Sequence, residues 1–260
     1  MIGQFEGILD ELSERGLVAQ VSDERGLREH LRKRRVVYCG FDPTADSLHV
    51  GSLVPLIALN RFQRAGHKPI LLLGGATGLI GDPSFRSDER LLIDSEVVEK
   101  RVVSLKKQVE PFLSFTGENS ALIVNNLDWS KKVLLIEFLR DIGKHFSVNS
   151  MIKAEGARQR LERGQGYSFI EFNYHLLQSY DFLHLYKHHN CVLQVGGDDQ
   201  WFHFCGGMDL IRRETGEHAY AFTIPLLATS DGKKMGKTEK GAVWIEASRL
   251  SIYDYYQYWV

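Results

Sequence analysis

Cysteine is scarce in this sequence, whose 260 residues include only Cys39, Cys191 and Cys205. The three are odd in number, far apart in the chain and free of any Cys-x-x-Cys spacing. A disulfide framework and a cysteine zinc site therefore both lack support. We interpret the three as buried or incidental thiols, which is the usual situation of free cysteine.

Long apolar runs are missing as well. No segment approaches the roughly 20 consecutive apolar residues that a helix needs to span a bilayer, and residues 1–6 lack the basic region and apolar stretch of a signal peptide. The sequence therefore predicts no membrane association. We expect a protein of the cytosol or of an organelle lumen, with the cytoplasm as the preferred location.

Charge of one sign does not dominate either. Lysine and arginine number 32 against 33 aspartate and glutamate, which gives a formal net charge of -1. This balance argues against indiscriminate binding of nucleic acid through positive charge. The basic run at residues 28–35 has two interpretations, a solvated helix face or a local contact with nucleic acid, and we favour the first.

The chain does have ample apolar material for a core, at 43% of its residues. From residue 35 onward, short β-branched runs alternate with longer amphipathic ones. The predicted strands are residues 36–41, 70–73, 121–124 and 191–195, and the predicted helices are residues 53–65, 95–112, 134–146, 171–184 and 201–213. This alternation predicts an α/β fold with a mostly parallel sheet, in which ligands bind beyond the carboxyl ends of the strands.

The remaining segments suggest how the chain is organised. We expect an N-terminal helical segment at residues 1–34 and a main domain at residues 35–228, with a helical insertion at about residues 126–168. Residues 229–260 are expected to form a loop and the start of a C-terminal helical region.

The segment after the first predicted strand, residues 38–52, combines a turn and glycines with a histidine before a helix. Backbone N–H groups at a helix N-terminus favour phosphate, Gly51 allows a nucleotide to approach closely, and His49 can donate to a phosphate oxygen. Alternatively, His49 is a surface histidine and the glycines only form turns. This segment alone leaves both interpretations open.

Two further strand ends carry polar groups. Residues 74–83 hold four glycines without the Gly-x-Gly-x-x-Gly spacing of a dinucleotide site, which makes a nicotinamide cofactor unlikely to bind there. Thr77 and Asp82 are suited to a small polar ligand, because Asp82 can pair with an ammonium group. Residues 194–201 contain a glycine pair and carboxylates that can accept hydrogen bonds from ribose hydroxyls.

One predicted helix presents polar groups in register. Tyr174, Gln178 and Asp181 have the spacing of a single helix face. A solvated stripe is one explanation, but the apolar neighbours favour a ligand pocket. His184 and His188 have the spacing of metal ligands without a zinc motif, so we predict satisfied or exposed histidines and no metal site.

The basic loop at residues 231–238 differs from a P-loop, because Gly232 and Gly236 enclose three residues where that motif has four. A Walker nucleotide-hydrolase site is therefore not expected. Lysines on both sides of Gly236 can still clamp a triphosphate.

Taken together, these segments resemble the catalytic domain of bacterial-type tyrosyl-tRNA synthetases, class I enzymes with signatures called HIGH and KMSKS. The signatures read HVGS at residues 49–52 and KMGKT at residues 234–238, in the family's order. The resemblance covers essentially the whole chain. It implies a Rossmann-like (HUP-type) sheet with helices on both faces, activation of L-tyrosine by ATP to tyrosyl-adenylate, and transfer to tRNA(Tyr). Mg²⁺ would arrive with ATP, and the insertion would form a homodimer.

The resemblance also implies roles for individual residues. Those implied in catalysis are His49, Ser52, Thr44, Lys234, Lys237, Thr238, Arg86 and Arg90. Those implied in tyrosine binding are Tyr38, Asp82, Tyr174, Gln178, Asp181, Gln200 and Thr77, with Tyr38 and Asp181 on the phenol. Those implied in ATP binding are Gly40, Asp42, Gly51, Gly197 and Asp199.

The sequence departs from the family's pattern in three ways. Ser52 stands where the first signature usually ends in histidine. Asp198 and the pair Phe202 and His203 replace smaller, neutral residues, and we expect extra charge and bulk beside the ribose site. The anticodon-binding and S4-like domains of bacterial relatives are absent from this sequence.

The leading hypothesis is a tyrosine–tRNA ligase represented by its catalytic core. One alternative is a free-standing tyrosine-adenylating enzyme with another acceptor. The other is a weakened paralogue that senses tyrosine or RNA without charging tRNA.

Overall fold

The protein was analysed as a computed structural model that describes residues 7–83, 93–164, 166, 168–228, 237–238 and 241–260. Its main sheet has six strands in the order β1-β6-β5-β2-β3-β4. They are β1 (Gln20–Val21), β2 (Val36–Phe41), β3 (Lys68–Leu73), β4 (Leu122–Asn125), β5 (Cys191–Gly197) and β6 (Tyr220–Ile224). All pairs are parallel except β1 with β6. The expected mostly parallel sheet is confirmed.

Helices cover this sheet on both faces. In the described part of the chain they are α1 (Ile8–Glu14), α2 (Glu24–His30), α3 (Val50–Arg64), α4 (Gly75–Ile80), α5 (Ser95–Val109), α6 (Leu127–Ser130), α7 (Leu135–Glu137), α8 (Val148–Met151), α9 (Glu155–Glu162), α10 (Phe169–His189), α11 (Trp201–Thr215) and α12 (Ile252–Gln257). A two-stranded hairpin, β7 (Lys237–Thr238) and β8 (Gly241–Ala242), lies outside the main sheet. None of the described helices is both long and apolar enough to cross a membrane.

The core has two layers because successive strand residues point to opposite faces of the sheet. Val37 and Cys39 of β2 pack on one side with α3 and α5, whereas Tyr38 packs on the other side with α10 and α11. The strands are almost continuously apolar, as is typical of parallel strands covered on both faces.

The longest helix, α10, has a specific capping feature at each end. Ser168 and Glu171 form a reciprocal capping box at its N-terminus, and Asn190 adopts the left-handed conformation at its C-terminus. Glu171 also forms an ion pair of 2.8 Å with Arg160 of α9, and both side chains are buried. The start of α10 is thereby fixed to the segment that precedes it.

Several predicted elements differ from the observed ones. Residues 134–146 form a broken series instead of one helix: α7, a π-helical turn at Phe138–Ile142 and a 3₁₀ turn at Gly143–His145. Gly143 disfavours a continuous helix there. The strand β6 was not predicted, and neither was α4, which the glycine-rich segment forms.

Glycine is required in α4 because the helix approaches two strand ends closely. A Cβ atom on Gly78 would lie 2.8 Å from Cγ of Pro43, and one on Gly75 would collide with the amide of Asn125. Close packing therefore accounts for glycine at these two positions.

The basic run at residues 28–35 is largely neutralised. Arg28 pairs with Asp10 and Glu24, while Arg32 and Arg34 pair with exposed glutamates of their own. These contacts agree with a solvated face.

Candidate active site

A cavity of about 460 Å³ lies at the carboxyl ends of β2 and β5. Tyr38 and Gln194 are register partners in these two strands and point into it together. The cavity brings together many of the residues singled out in the sequence: Tyr38, Gly40, Asp42, Thr44, His49, Gly51, Ser52, Thr77, Asp82, Tyr174, Gln178, Asp181, Gly197, Asp199 and Gln200.

The other predicted site residues are Lys234, Lys237, Thr238, Arg86 and Arg90. Lys234, Arg86 and Arg90 lie outside the described residues. Lys237 and Thr238 form β7, which pairs with β8. Residues 243–245 follow β8 and bond to the first signature, since the N–H of Val50 donates to Val243 O at 2.9 Å and the N–H of Ile245 donates to Leu48 O at 3.0 Å. The backbone on the C-terminal side of the second signature therefore lies beside the first.

A buried carboxylate forms one end of the cavity. Asp181 accepts a hydrogen bond of 2.9 Å from Nδ2 of Asn126 and one of 2.8 Å from Nε1 of Trp129. Burial raises the pKa of Asp181 to about 7, although both hydrogen bonds act in the opposite direction.

The Tyr38 hydroxyl is a buried polar group without a hydrogen-bond partner. Burial, and then the charge of Asp181, raises the pKa of this phenol well above its ordinary value. It remains a neutral O–H that can both donate and accept. Because an unpartnered buried hydroxyl is costly, this end of the cavity is suited to a ligand that carries a matching polar group.

A chain of hydrogen bonds links this end of the cavity to the β2 strand end. Asn126 donates to Oγ1 of Thr77 at 3.1 Å, and Thr77 donates to Asp42 at 2.6 Å. The hydroxyl of Tyr174 donates to the other oxygen of Asp42 at 2.8 Å. Residues predicted for tyrosine and for ATP therefore belong to one network.

A second carboxylate, Asp82, lies between α10 and α11. Nε2 of Gln200 donates to its Oδ2 at 2.8 Å. Nε2 of His203 lies 3.7 Å from its Oδ1. Both contacts come from residues at or near the start of α11.

The first signature differs from the expected phosphate site in one respect. The N–H groups of Val50, Gly51 and Ser52 donate to Val243 O, to Nδ1 of His49 and to His49 O. The first N–H groups of α3 therefore already have acceptors within the protein. Because Nδ1 of His49 accepts from the N–H of Gly51, the single proton of the ring is on Nε2, where it can donate to a phosphate oxygen.

Residues of α5 and of the C-terminal segment contact the loop that precedes α3 and hold it in place. Ser104 and Gln108 donate to Asp46 O at 2.6 and 2.9 Å. Arg249 forms an ion pair with the Asp46 side chain and lies 4.7 Å from the ring centroid of Trp244. The position of His49 is thus fixed by contacts from several elements.

Of the residues expected to add charge and bulk beside the ribose site, Asp198 and Phe202 make contacts with other parts of the protein. Asp198 accepts hydrogen bonds from Thr223 at 2.6 Å and from Gln20 at 2.7 Å, away from the cavity. Phe202 stacks on His175 with ring centroids 4.1 Å apart. Neither side chain lines the cavity formed by the described residues.

Sequence reasoning missed Asn126, Trp129 and Gln194. Asn126 directly follows β4, so the rule of inspecting strand ends would have found it. Gln194 is a polar residue inside an otherwise apolar strand, and its buried Oε1 has no partner. Trp129 gave no such signal.

The histidines with metal-ligand spacing form a ring stack. His184 stacks on Trp129 with centroids 4.2 Å apart, and His188 lies 4.3 Å from His184. Burial lowers the pKa of His184 to about 4. Within the described part of the chain, no group of three or more histidine, cysteine, aspartate or glutamate side chains could hold a metal ion.

Comparison with known proteins agrees with this geometry. A family model described as tRNA synthetases class I (W and Y) matches residues 30–260. The tyrosine–tRNA ligases of Chromobacterium violaceum and Shigella dysenteriae are 54% and 56% identical over 255 and 256 residues, and each match covers 97% of this chain. The chain spans 60% of the length of these relatives.

Solved structures give the same result. The C-terminally truncated mitochondrial tyrosyl-tRNA synthetase of Aspergillus nidulans superimposes with a TM-score of 0.85 at 31% identity, covering 96% of this chain and 75% of that one. The corresponding enzyme of Coccidioides posadasii gives a TM-score of 0.83 at 31% identity, covering 96% and 73%. Family model, curated relatives and fold all point the same way: the chain belongs to the class I tRNA synthetases of the tryptophan and tyrosine family.

Proposed function

We propose that this chain is the catalytic core of a tyrosine–tRNA ligase, which uses ATP to activate L-tyrosine as tyrosyl-adenylate and transfers the tyrosyl group to tRNA(Tyr). The observation that carries the proposal is the pairing of Tyr38 and Asp181 in one cavity. A buried hydroxyl without a partner and a buried carboxylate together match a phenol, which donates to one and accepts from the other. Phenylalanine would leave the Tyr38 hydroxyl without a partner and would offer Asp181 no further donor.

Once the phenol lies at Tyr38 and Asp181, the other groups of tyrosine can be placed in the cavity. Asp82 is the negative group that pairs with the ammonium, and Gln178 and the Tyr174 oxygen complete its surroundings. Gln200 holds Asp82 in place, and Thr77 fixes the network between the two ends of the amino acid. We also assign Gln194 to this pocket because its unpartnered amide oxygen can accept from the ligand.

MgATP then binds at the strand ends. Gly40, Gly51 and Gly197 allow the nucleotide to approach the backbone, and Asp42 and Asp199 accept from its hydroxyls. Thr44 and His49 contact the phosphates. Ser52, shorter than the histidine usual in the family, gives a weaker contact there.

Activation is an in-line displacement. A carboxylate oxygen of tyrosine attacks the α-phosphorus, the bond to the β-phosphate oxygen breaks, and pyrophosphate leaves with its Mg²⁺. Negative charge accumulates on the departing group, where we assign Lys234, Lys237, Thr238, Arg86 and Arg90 from the family resemblance. Catalysis then rests on positioning and charge stabilisation, with no covalent nucleophile.

Transfer to tRNA completes the reaction, as a terminal ribose hydroxyl attacks the tyrosyl carbonyl and AMP leaves. The names of the bacterial relatives, tyrosine–tRNA ligases, support tRNA(Tyr) as acceptor, and we propose the cytoplasm as location. A homodimer is supported by exposed apolar side chains in and near the insertion: Leu134, Leu135, Ile136, Val148 and Phe169.

The test is tyrosine-dependent exchange of labelled pyrophosphate into ATP, followed by charging of tRNA(Tyr). We expect exchange with tyrosine and almost none with phenylalanine. Discrimination of roughly 10⁵ is documented for tyrosyl-tRNA synthetases themselves, and we adopt that magnitude without deriving it. Replacing Tyr38→Phe should lower the preference for tyrosine roughly tenfold, the effect of one lost hydrogen bond, while leaving stability unchanged or higher.

Each other outcome has a definite meaning. Exchange without charging would indicate a tyrosine-adenylating enzyme with another acceptor. Tyrosine binding without exchange would indicate a sensing paralogue. Equal exchange with any amino acid would overturn the assignment of Tyr38 and Asp181.

A further inference from the structure

Two histidines form a buried pair behind Asp82. Nδ1 of His175 on α10 lies 3.1 Å from Nδ1 of His203 on α11, and both side chains are buried. Only one of these two nitrogens can carry the proton of the hydrogen bond. One histidine is therefore the donor and the other the acceptor, and the neighbouring groups determine which tautomers are present.

The surroundings select one arrangement. Nε2 of His203 faces Oδ1 of Asp82 at 3.7 Å, and a carboxylate favours an N–H over a lone pair at that position. If the single ring proton of His203 is on Nε2, its Nδ1 accepts, and His175 is the donor of the pair. Burial and the nearby His203 hold the pKa of His175 well below its ordinary value, which keeps His175 a neutral ring with a single N–H.

Packing fixes both rings. Phe202 stacks on His175 at 4.1 Å, and Phe146 meets it edge-on at 5.3 Å. The ring of Tyr174 meets His203 edge-on at 5.3 Å. The packing between α10 and α11 thus holds both rings in the orientation in which His175 faces His203 and His203 faces Asp82.

We propose that His203, fixed in one tautomer by His175, is a positioning residue for Asp82 and so sets the affinity for the ammonium group of the amino acid. Gln200 donates to one carboxylate oxygen and His203 faces the other. At 3.7 Å the His203 contact is longer than a hydrogen bond, and contacts of this kind often tighten when the substrate binds. The inference rests on the proposed function, in which Asp82 binds the ammonium.

The experiment compares three ligands that share the phenol: L-tyrosine, tyramine, which lacks the carboxylate, and 3-(4-hydroxyphenyl)propanoate, which lacks the ammonium. Their dissociation constants are measured by calorimetry for the wild-type protein and for His203→Phe, which keeps a ring but no nitrogen. We expect tyrosine and tyramine to bind about tenfold more weakly, the lower range for a lost hydrogen bond to a charged group. Binding of the propanoate should not change.

Two further variants refine the test. His203→Gln places an amide N–H the same number of bonds from Cα as the imidazole Nε2 and should restore binding of both ammonium ligands. His218→Phe, a substitution of an exposed histidine, should change nothing. In pyrophosphate exchange, His203→Phe should raise KM for tyrosine and leave kcat nearly unchanged, because the lost interaction exists before and during the reaction.

Equal weakening of all three ligands would show a merely structural role and overturn the inference, as would unchanged binding of tyrosine and tyramine. If His203→Phe fails to fold, ¹⁵N NMR of the histidines in the wild-type protein decides instead: the proposal requires the proton on Nε2 of His203 and on Nδ1 of His175. The reverse tautomers would refute it. A wild-type protein that does not bind tyrosine would count against the proposed function itself.

Discussion

Two opposing influences act on the Asp181 carboxyl. The hydrogen bonds from Asn126 and Trp129 favour the ionised form, whereas burial disfavours it more strongly, and the pKa is raised to about 7. At neutral pH the group is therefore divided between two forms. Only the ionised form offers the tyrosine phenol a charged acceptor, so affinity for tyrosine should rise as the pH rises through the pKa of Asp181.

Replacing Trp129→Phe should move this pH dependence. The change removes the indole N–H that donates to Asp181 at 2.8 Å but keeps an aromatic ring against His184. With one donor fewer for the ionised form, the pKa of Asp181 should rise further above its ordinary value. The measurement is the dissociation constant of tyrosine across neutral and alkaline pH, whose midpoint should shift upward.

Trp259→Phe is the matched control, since it removes the indole of a half-exposed tryptophan outside the cavity. Its pH profile should match that of the wild-type protein. An unchanged midpoint in Trp129→Phe would mean that the indole N–H does not control Asp181.

At the scale of elements, the site depends on how closely α10 and α11 cross. A Cβ atom on Gly207 of α11 would lie 2.9 Å from Cδ1 and 3.2 Å from Cβ of Phe182 on α10. A Cβ on Gly206 would collide with the ring of His175. Small residues on α11 thus allow the approach that brings His203 and Gln200 to Asp82.

Replacing Gly207→Ala should lower the free energy of unfolding by about 1–3 kcal/mol, the usual cost of overpacking a core. Alanine would by itself favour the helix by about 1 kcal/mol, but the Cβ of Phe182 is fixed to the α10 backbone and cannot rotate away. Denaturant unfolding measures the change. Gly166→Ala is the control, because a Cβ there meets nothing within 4 Å; a Gly207→Ala protein as stable as this control would contradict the packing argument.

The elements show what local sequence could and could not predict. The strand β2 has the predicted bounds, Val36–Phe41, because its apolar run is bordered by polar and turn residues. The strand β6 was not predicted, although Tyr220, Phe222 and Ile224 alternate with smaller residues as in a strand and a strand was due after α11 in an alternating chain. Residues 134–146 have the period of a helix, but their exposed apolar face and Gly143 do not sustain one.

The same division applies to the site. Asp82 and Asp181 could be singled out because the first follows a predicted strand and the second shares one helix face with Tyr174, whereas the role of Tyr38 was implied by the family resemblance alone. The donation from Asn126 to Asp181 joins residues 55 positions apart, and the contact between His175 and His203 depends on the crossing of two helices. Such contacts follow from tertiary packing, which local patterns do not encode.

On the scale of the whole molecule, the segment around α7 exposes large apolar side chains in succession. Leu134, Leu135 and Ile136 are 63%, 69% and 71% exposed. Single exposed apolar residues are ordinary, but consecutive ones are typical of an interface. A second copy of the chain is the partner that we propose, since symmetric pairs are the commonest assemblies of soluble proteins.

Replacing Ile136→Glu should therefore convert a dimer into monomers, because burying the new charge without a partner is costly. The residue is exposed within a single chain, so the stability of the monomer should change by no more than about 0.5 kcal/mol. Every described residue that lines the cavity comes from this one chain, so tyrosine should still bind the monomer. Sedimentation equilibrium gives the mass, and calorimetry gives the affinity.

Val103→Glu, at a 56% exposed position on α5, introduces the same charge elsewhere and should leave the dimer intact. A wild-type protein that sediments as a monomer, or two variants that dissociate alike, would show that residues 134–136 do not form the interface.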